Sequence, residues 1–205
     1  MEQERQTSRA EEARVRAWAY ELLALGFSPP SAESAEAVSK AEARFSLPTP
    51  DVKALIPEYH RLFVGPGSLP APPYESVYRE GWRVMGETTL DVKRRYEEAG
   101  YAVAPSFTEL PDHVAAELTF MTLLAEEEAR AWEAEDTSAA LAWLERERAF
   151  LGDHLTRWLP DFCVRLLAST EAPFYQRLAV SLQEFVTLDA ERARALTGLL
   201  EEVLA

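Results

Sequence analysis

The chain has 205 residues, 47% of them hydrophobic, with a formal charge of −14 and a pI near 4.7. That length suits one domain or two small ones, and the apolar share is enough for a substantial core. The charge argues against a general nucleic-acid binder and against an anionic membrane surface, both of which call for a basic face; it suits a cationic partner, or plain solubility.

Leu, Ala, Glu and Arg dominate, and Ile occurs once, at Ile56. These are strong helix formers, so an all-α fold is expected, one multi-helix globular domain over residues 1–205. The leader "MEQERQTSRAEEARVR" is charged and lacks the apolar core of a secretory signal. Ser8 and Glu11 match a capping box, predicting that the first helix starts there, with Val15, Trp18, Ala19, Leu22 and Leu25 at helical spacing. Gly26 and "SPP" end it, and a small helix is expected over about Ala32 to Arg44. In "LPTP", Thr49 is the expected cap and Pro50 the first helical residue of the next helix, which must stop near "VGPG".

Residues 65–73, "GPGSLPAPP", hold four prolines and two glycines, a density no helix survives. The stretch is an interdomain linker or an ordered loop, and the aromatic "YESVYREGW" that follows favours an ordered loop packed on the body. "GETTLDVKRRYEEAG" reads as a whole helix, capped by Thr88 and closed by Gly100. Pro111 fits the first turn of a long helix running toward Glu135, and Thr137 or Ser138 is the expected cap of the next. Gly152 and Pro160 punctuate "GDHLTRWLPDF", and the chain is helical after Pro173. The lone thiol, Cys163 in "FCVRLL", reads as buried and structural; one cysteine suits a reducing compartment. No apolar stretch approaches the ~20 residues that span a bilayer, so a cytoplasmic protein is expected.

The densest chemistry lies in "ELPDHVAAELTF" (109–120), with Glu109, Asp112, His113 and Glu117 close together. A catalytic dyad needs more than Asp112 beside His113, since adjacent helical residues do not face each other and no activated nucleophile accompanies them. His113 and Glu117, four apart, supply two metal ligands where transition metals usually take three or more. On spacing alone the stretch is a helix start whose carboxylates complement the dipole. A small acidic enzyme or metal-binding protein centred on His113 stays as the alternative. The acidic run "EEEARAWEAED" is read as a solvated face, and of the five tryptophans only Trp82, following the Pro-rich loop, is placed outside the core.

Four stretches in sequence order resemble the TorD/DmsD/NarJ family of redox-enzyme maturation chaperones: "AYELLALGFSPP" (19–30), "YHRLFVGPGSLPAPPYESVY" (59–78), "GETTLDVKRRYEEAGY" (86–101) and "ELPDHVAAELTFM" (109–121). The resemblance covers about residues 14 to 180 and implies an all-helical chaperone, not an enzyme, with no cofactor of its own. Such proteins bind the twin-arginine signal peptide or N-terminus of a molybdopterin-dependent oxidoreductase subunit, hold it in the cytoplasm until its cofactor is inserted, and release it to Tat export, as monomers or domain-swapped dimers.

By that resemblance, Tyr74, Glu75, Ser76, Tyr78 and Trp82 with Glu109, Leu110, Pro111, Asp112 and His113 line a peptide groove, and Tyr20 forms one wall. The chemistry fits: guanidinium groups pair best with planar carboxylates, here Glu109, Asp112 and Glu75. An apolar segment needs a trough, here Tyr74, Val77, Tyr78, Trp82 and Leu110. His113 is expected to donate to a peptide carbonyl and to make binding pH-sensitive near neutrality. One departure is Tyr74, at a position often held by tryptophan in that family.

Overall fold

The computed structural model describes residues 2–40, 48, 51–105 and 107–204. Among them the chain forms α1 (Glu2–Gly26), α2 (Ala32–Lys40), α3 (Val52–Tyr59), α4 (Glu75–Arg79), α5 (Glu87–Glu98), α6 (Val114–Glu133), α7 (Thr137–Phe150), α8 (Thr156–Ser169) and α9 (Pro173–Leu204), and no strand. Single π-helical turns, His60–Val64 and Leu151–Leu155, follow α3 and α7.

α1 begins at Glu2 rather than at Ser8, because the Glu, Gln and Arg of the leader propagate a helix without help from a cap. Its most extensive packing is against α6, and the small buried Ala13, Ala17 and Ala24 of α1 and Ala115, Ala125 and Ala129 of α6 leave room for a close approach. α2 starts with Ser31 and Ser34 exchanging backbone-to-hydroxyl bonds at 2.9 and 3.0 Å; its expected extension beyond Lys40 lies outside the described residues. α3 is capped by Asp51, not Thr49: Asp51 Oδ1 accepts from the amides of Lys53 (3.1 Å) and Ala54 (3.4 Å). Thr49 and Pro50 themselves lie outside the described residues. Gly65, at φ 96°, then turns the chain out of the π-turn in a conformation that costs a side chain dearly.

The Pro-rich stretch is an ordered loop. Ala71, Pro72 and Pro73 are buried, and Arg165 Nε of α8 donates to Pro70 O at 2.6 Å. α5 starts at Glu87 with Gly86 as its N-cap, not with Thr88 capping: the acceptor for the Thr88 amide is Glu80 Oε1, from the preceding loop. A Cβ on Gly86 would lie 1.6 Å from Glu80 Oε2, so glycine is what lets Glu80 reach the helix end.

α6 starts at Val114, three residues after Pro111, so Glu109 and Asp112 precede the helix instead of riding on it. α7 is capped by Asp136, whose Oδ1 accepts from Ala139 N at 2.9 Å, rather than by Thr137 or Ser138. Gly152 and Pro160 do not break the chain. The π-turn carries Gly152, and α8 continues through Pro160, since a widened turn re-registers the ladder where a helix must bend or lose a donor.

One main core joins all layers, with Phe27, Phe63, Phe162 and Tyr175 at one end and Tyr96, Phe120 and Phe150 at the other. Trp158 and Cys163 are fully buried within it, and burial pushes the Cys163 thiol up to about 12, which leaves it inert. Trp132 closes a smaller cluster with Ala10, Ala131 and Ala140.

Candidate functional site

The end of the Pro-rich loop and the segment before α6 are zipped together. Tyr74 and His113 form an isolated antiparallel bridge. Val114 N donates to Pro73 O (2.9 Å) and Glu75 N to Asp112 O (3.0 Å). Consecutive prolines hold Pro72 and Pro73 extended and leave only carbonyls to pair, which suits a one-bridge contact at this edge. Two motifs distant in sequence thereby become neighbours.

Asp112 is fully buried. Its Oδ2 accepts from Ser76 N at 2.9 Å, so it caps α4 from across the bridge. The expectation that Asp112 offers a carboxylate at an open lip is corrected accordingly, and so is that for Glu75. Glu75 is also fully buried, its Oε2 2.9 Å from His154 Nδ1 and its Oε1 accepting from Arg79 at 2.5 Å. Ser76 and Val77 are likewise interior. Glu117 lies beneath them and accepts from Trp158 Nε1 at 3.0 Å; burial first, then the charge of Glu75, holds its carboxyl well above the usual range.

His113 is the N-cap of α6, its Nδ1 accepting from Ala115 N at 3.1 Å. Its ring sits between Tyr74 (5.3 Å) and Phe107 (6.0 Å). Burial lowers its pKa to about 4, so it is neutral at physiological pH, with the remaining proton on Nε2. The expected titration near neutrality is corrected: burial strips the imidazole of the water that would stabilise its charged form. Among the described residues no group of His, Cys, Asp and Glu is arranged to hold a metal ion, and His113 and Glu117 serve separate polar clusters, so the alternative centred on His113 gains no support.

Tyr20 is elsewhere. It is fully buried, its hydroxyl donates to Asp189 of α9 at 2.7 Å, and its ring meets Phe185 at 4.8 Å. The expected groove wall is instead part of the α1–α9 seam.

What remains at the surface is a shorter and better-defined set. Tyr74, Glu109, Leu110, Pro111 and Tyr78 are half-buried, and Trp82 is 57% exposed. Tyr74 donates its hydroxyl to Glu109 Oε2 at 2.5 Å. Tyr59 lies near enough for the Glu109 charge, after burial, to help push its phenol up to about 12. At the other end, the Tyr78 ring centroid is 6.0 Å from that of Trp82, and the Arg165 guanidinium stacks over Trp82 at 4.3 Å while its Nε holds the Pro-rich loop. Trp82 adopts a left-handed φ of 69°, as does Met85 at 62°, in a loop where Trp82, Val84 and Met85 all face solvent. Such conformations cost a non-glycine residue about 1–3 kcal/mol and tend to be kept at sites of contact. The surface thus offers the Glu109 carboxylate, held by a phenol, and an exposed apolar loop reached through Tyr78. Sequence reasoning placed Tyr59 in the family stretch 59–78 without assigning it to the site, and missed Phe107 and Arg165, which only their aromatic or basic type hinted at.

A family model described as nitrate reductase delta subunit matches residues 29–164, a span holding every surface residue named above except Arg165. The chain is 33% identical over 145 residues to the Tat proofreading chaperone DmsD of Salmonella typhi, covering 70% of this chain and 63% of that one, so it spans less than two thirds of that relative. It is 29% identical over 170 residues to the chaperone protein TorD of Photobacterium profundum, covering 82% and 77%. A crystal structure from Archaeoglobus fulgidus, assigned to redox enzyme maturation, superposes with a TM-score of 0.54 at 25% identity, over 90% of this chain and 93% of that one.

Proposed function

Because this chain belongs to the nitrate reductase delta subunit family, we propose that it is a cytoplasmic chaperone, not an enzyme, that binds the twin-arginine signal peptide or N-terminus of a molybdenum-cofactor oxidoreductase subunit. It holds that subunit for cofactor insertion and then releases it to Tat export. The observation that carries this reading is the pairing of Glu109 with an exposed aromatic rim on one zipped edge of the fold. A guanidinium takes the carboxylate through charge-assisted bonds, and the apolar stretch that follows it lies on Tyr78 and Trp82. The relatives named DmsD and TorD support the chaperone role, and the charge of −14 speeds encounter with a basic leader at low salt. No helix among the described residues is long and apolar enough to cross a membrane, which agrees with a cytoplasmic site of action.

Titration calorimetry with a synthetic twin-arginine peptide tests the proposal. Saturable binding that weakens at least tenfold when both arginines become glutamine is expected; absence of binding to any leader or mature N-terminal peptide refutes the reading.

A further inference from the structure

Glu109 stands apart from its neighbours in the same edge of the fold. Asp112, Glu75 and Glu117 are sealed in the interior, each committed to an amide, an imidazole or an indole. Glu109 is half-buried, and among the described residues its side chain makes one hydrogen bond, from the Tyr74 hydroxyl to Oε2. Tyr74 is itself a fixed point. Its backbone is pinned by the bridge to His113, the flanking amides of Glu75 and Val114 are bonded across that bridge, and its ring packs on His113. An ordinary surface glutamate rotates through several rotamers and loses that freedom when it binds. Here a rigid phenol has already fixed one carboxylate oxygen and leaves Oε1, and the remaining lone pair of Oε2, for an incoming donor.

We infer that Tyr74 is a positioning residue that holds the plane of the Glu109 carboxylate and thereby sets the preference of this site for arginine over lysine. The inference rests on the peptide-binding role proposed above. A guanidinium presents two parallel N–H groups in a rigid fork and profits from a carboxylate held in one plane, whereas an ammonium is a point charge that follows a carboxylate wherever it turns. Freezing the plane therefore favours arginine selectively.

The test compares wild type with Tyr74→Phe and Glu109→Gln, titrating each at neutral pH with a twin-arginine peptide and with its twin-lysine counterpart, which carries the same charge. Wild type is expected to prefer arginine. Tyr74→Phe keeps the ring and its packing, and is expected to bind the arginine peptide about fivefold more weakly while hardly changing the lysine peptide, the size of one net hydrogen bond. Glu109→Gln loses both peptides' charge-dependent affinity. An arginine-to-lysine ratio unchanged in Tyr74→Phe, in the presence of wild-type binding, overturns the inference alone. A wild type that binds neither peptide overturns the proposed function and the inference with it.

Discussion

Helix α6 carries two glutamates into two buried polar clusters of similar make-up that differ in where their cation sits. Glu128 meets Glu147 and Asp189 around the buried guanidinium of Arg16, with Arg192 at the edge, Trp132 Nε1 donating to Glu128 at 2.9 Å and Tyr20 donating to Asp189. Glu117 meets Glu75, with Asp112 and Tyr96 near, and Trp158 Nε1 donates to it at 3.0 Å, but the cation here, Arg79, reaches Glu75 from a side chain 36% exposed. One cluster has its cation inside and the other draws it from the rim; both keep unpartnered buried atoms, Arg16 Nε, Glu147 Oε1 and Arg192 Nη2 in the first, Asp112 Oδ1, Glu117 Oε1 and Ser76 Oγ in the second. The first locks α1, α6, α7 and α9 in register. The second supports the short α4 turn that presents Tyr74 and Tyr78. A fold can neutralise buried carboxylates from within where nothing need happen, and from the rim under a working surface, where a solvent-exposed cation holds its partner less firmly.

The contrast can be broken most severely at Arg16. Arg16→Met leaves Glu128, Glu147 and Asp189 together without their cation, and should cost about 3–5 kcal/mol in chemical denaturation; a loss below about 1 kcal/mol would mean the cluster is not a clamp.

Acid titration comes next in size. The pKa of His113 is lowered from 6.5 to about 4, so the unfolded chain takes its proton first and stability falls as pH drops from about 6.5 toward 4, by on the order of 3 kcal/mol. His113→Asn keeps a capping acceptor and removes the titration, so its stability curve should be flatter over that window. Parallel curves for the two proteins place the acid sensitivity elsewhere.

Asp112→Ala removes the cap that α4 receives across the bridge and should cost about 1–2 kcal/mol. Peptide affinity is expected to fall with it, because the loss displaces Tyr74 and Tyr78 rather than a direct contact.

The smallest effect sharpens the comparison. The Glu117 carboxyl is held high, so its neutral form stabilises the fold at low pH and that contribution is lost as pH rises through the folded-state value. Glu117→Gln keeps an acceptor for Trp158 and cannot ionise; relative to wild type it should gain stability steadily with rising pH. An opposite slope would assign an ionised Glu117 to the native state.

Helices were legible wherever an apolar stripe recurred, as in α1, α5, α6 and α9, because burial of one face writes a 3.6-residue period into the sequence. Their starts were not. The rules for caps look three residues ahead, whereas α4 takes its acceptor from Asp112 and α5 from Glu80, through contacts that exist only once the chain has folded. The same holds for the site. Family motifs brought Tyr74 and Glu109 forward together, but nothing in "YESVY" says that Glu75 will find His154 at a separation of 79 residues and turn inward. A carboxylate in a motif is read as available; whether it is depends on a partner that the motif does not contain.

Amide hydrogen exchange with and without a twin-arginine peptide tests the central claim most directly. Added protection should concentrate in residues 70–85 and 107–116, the zipped edge carrying Tyr74, Trp82 and Glu109, while the amides around Arg16, Tyr20 and Asp189 stay as they were. Protection confined to the α1–α9 seam, or none anywhere at saturating peptide, would contradict the account.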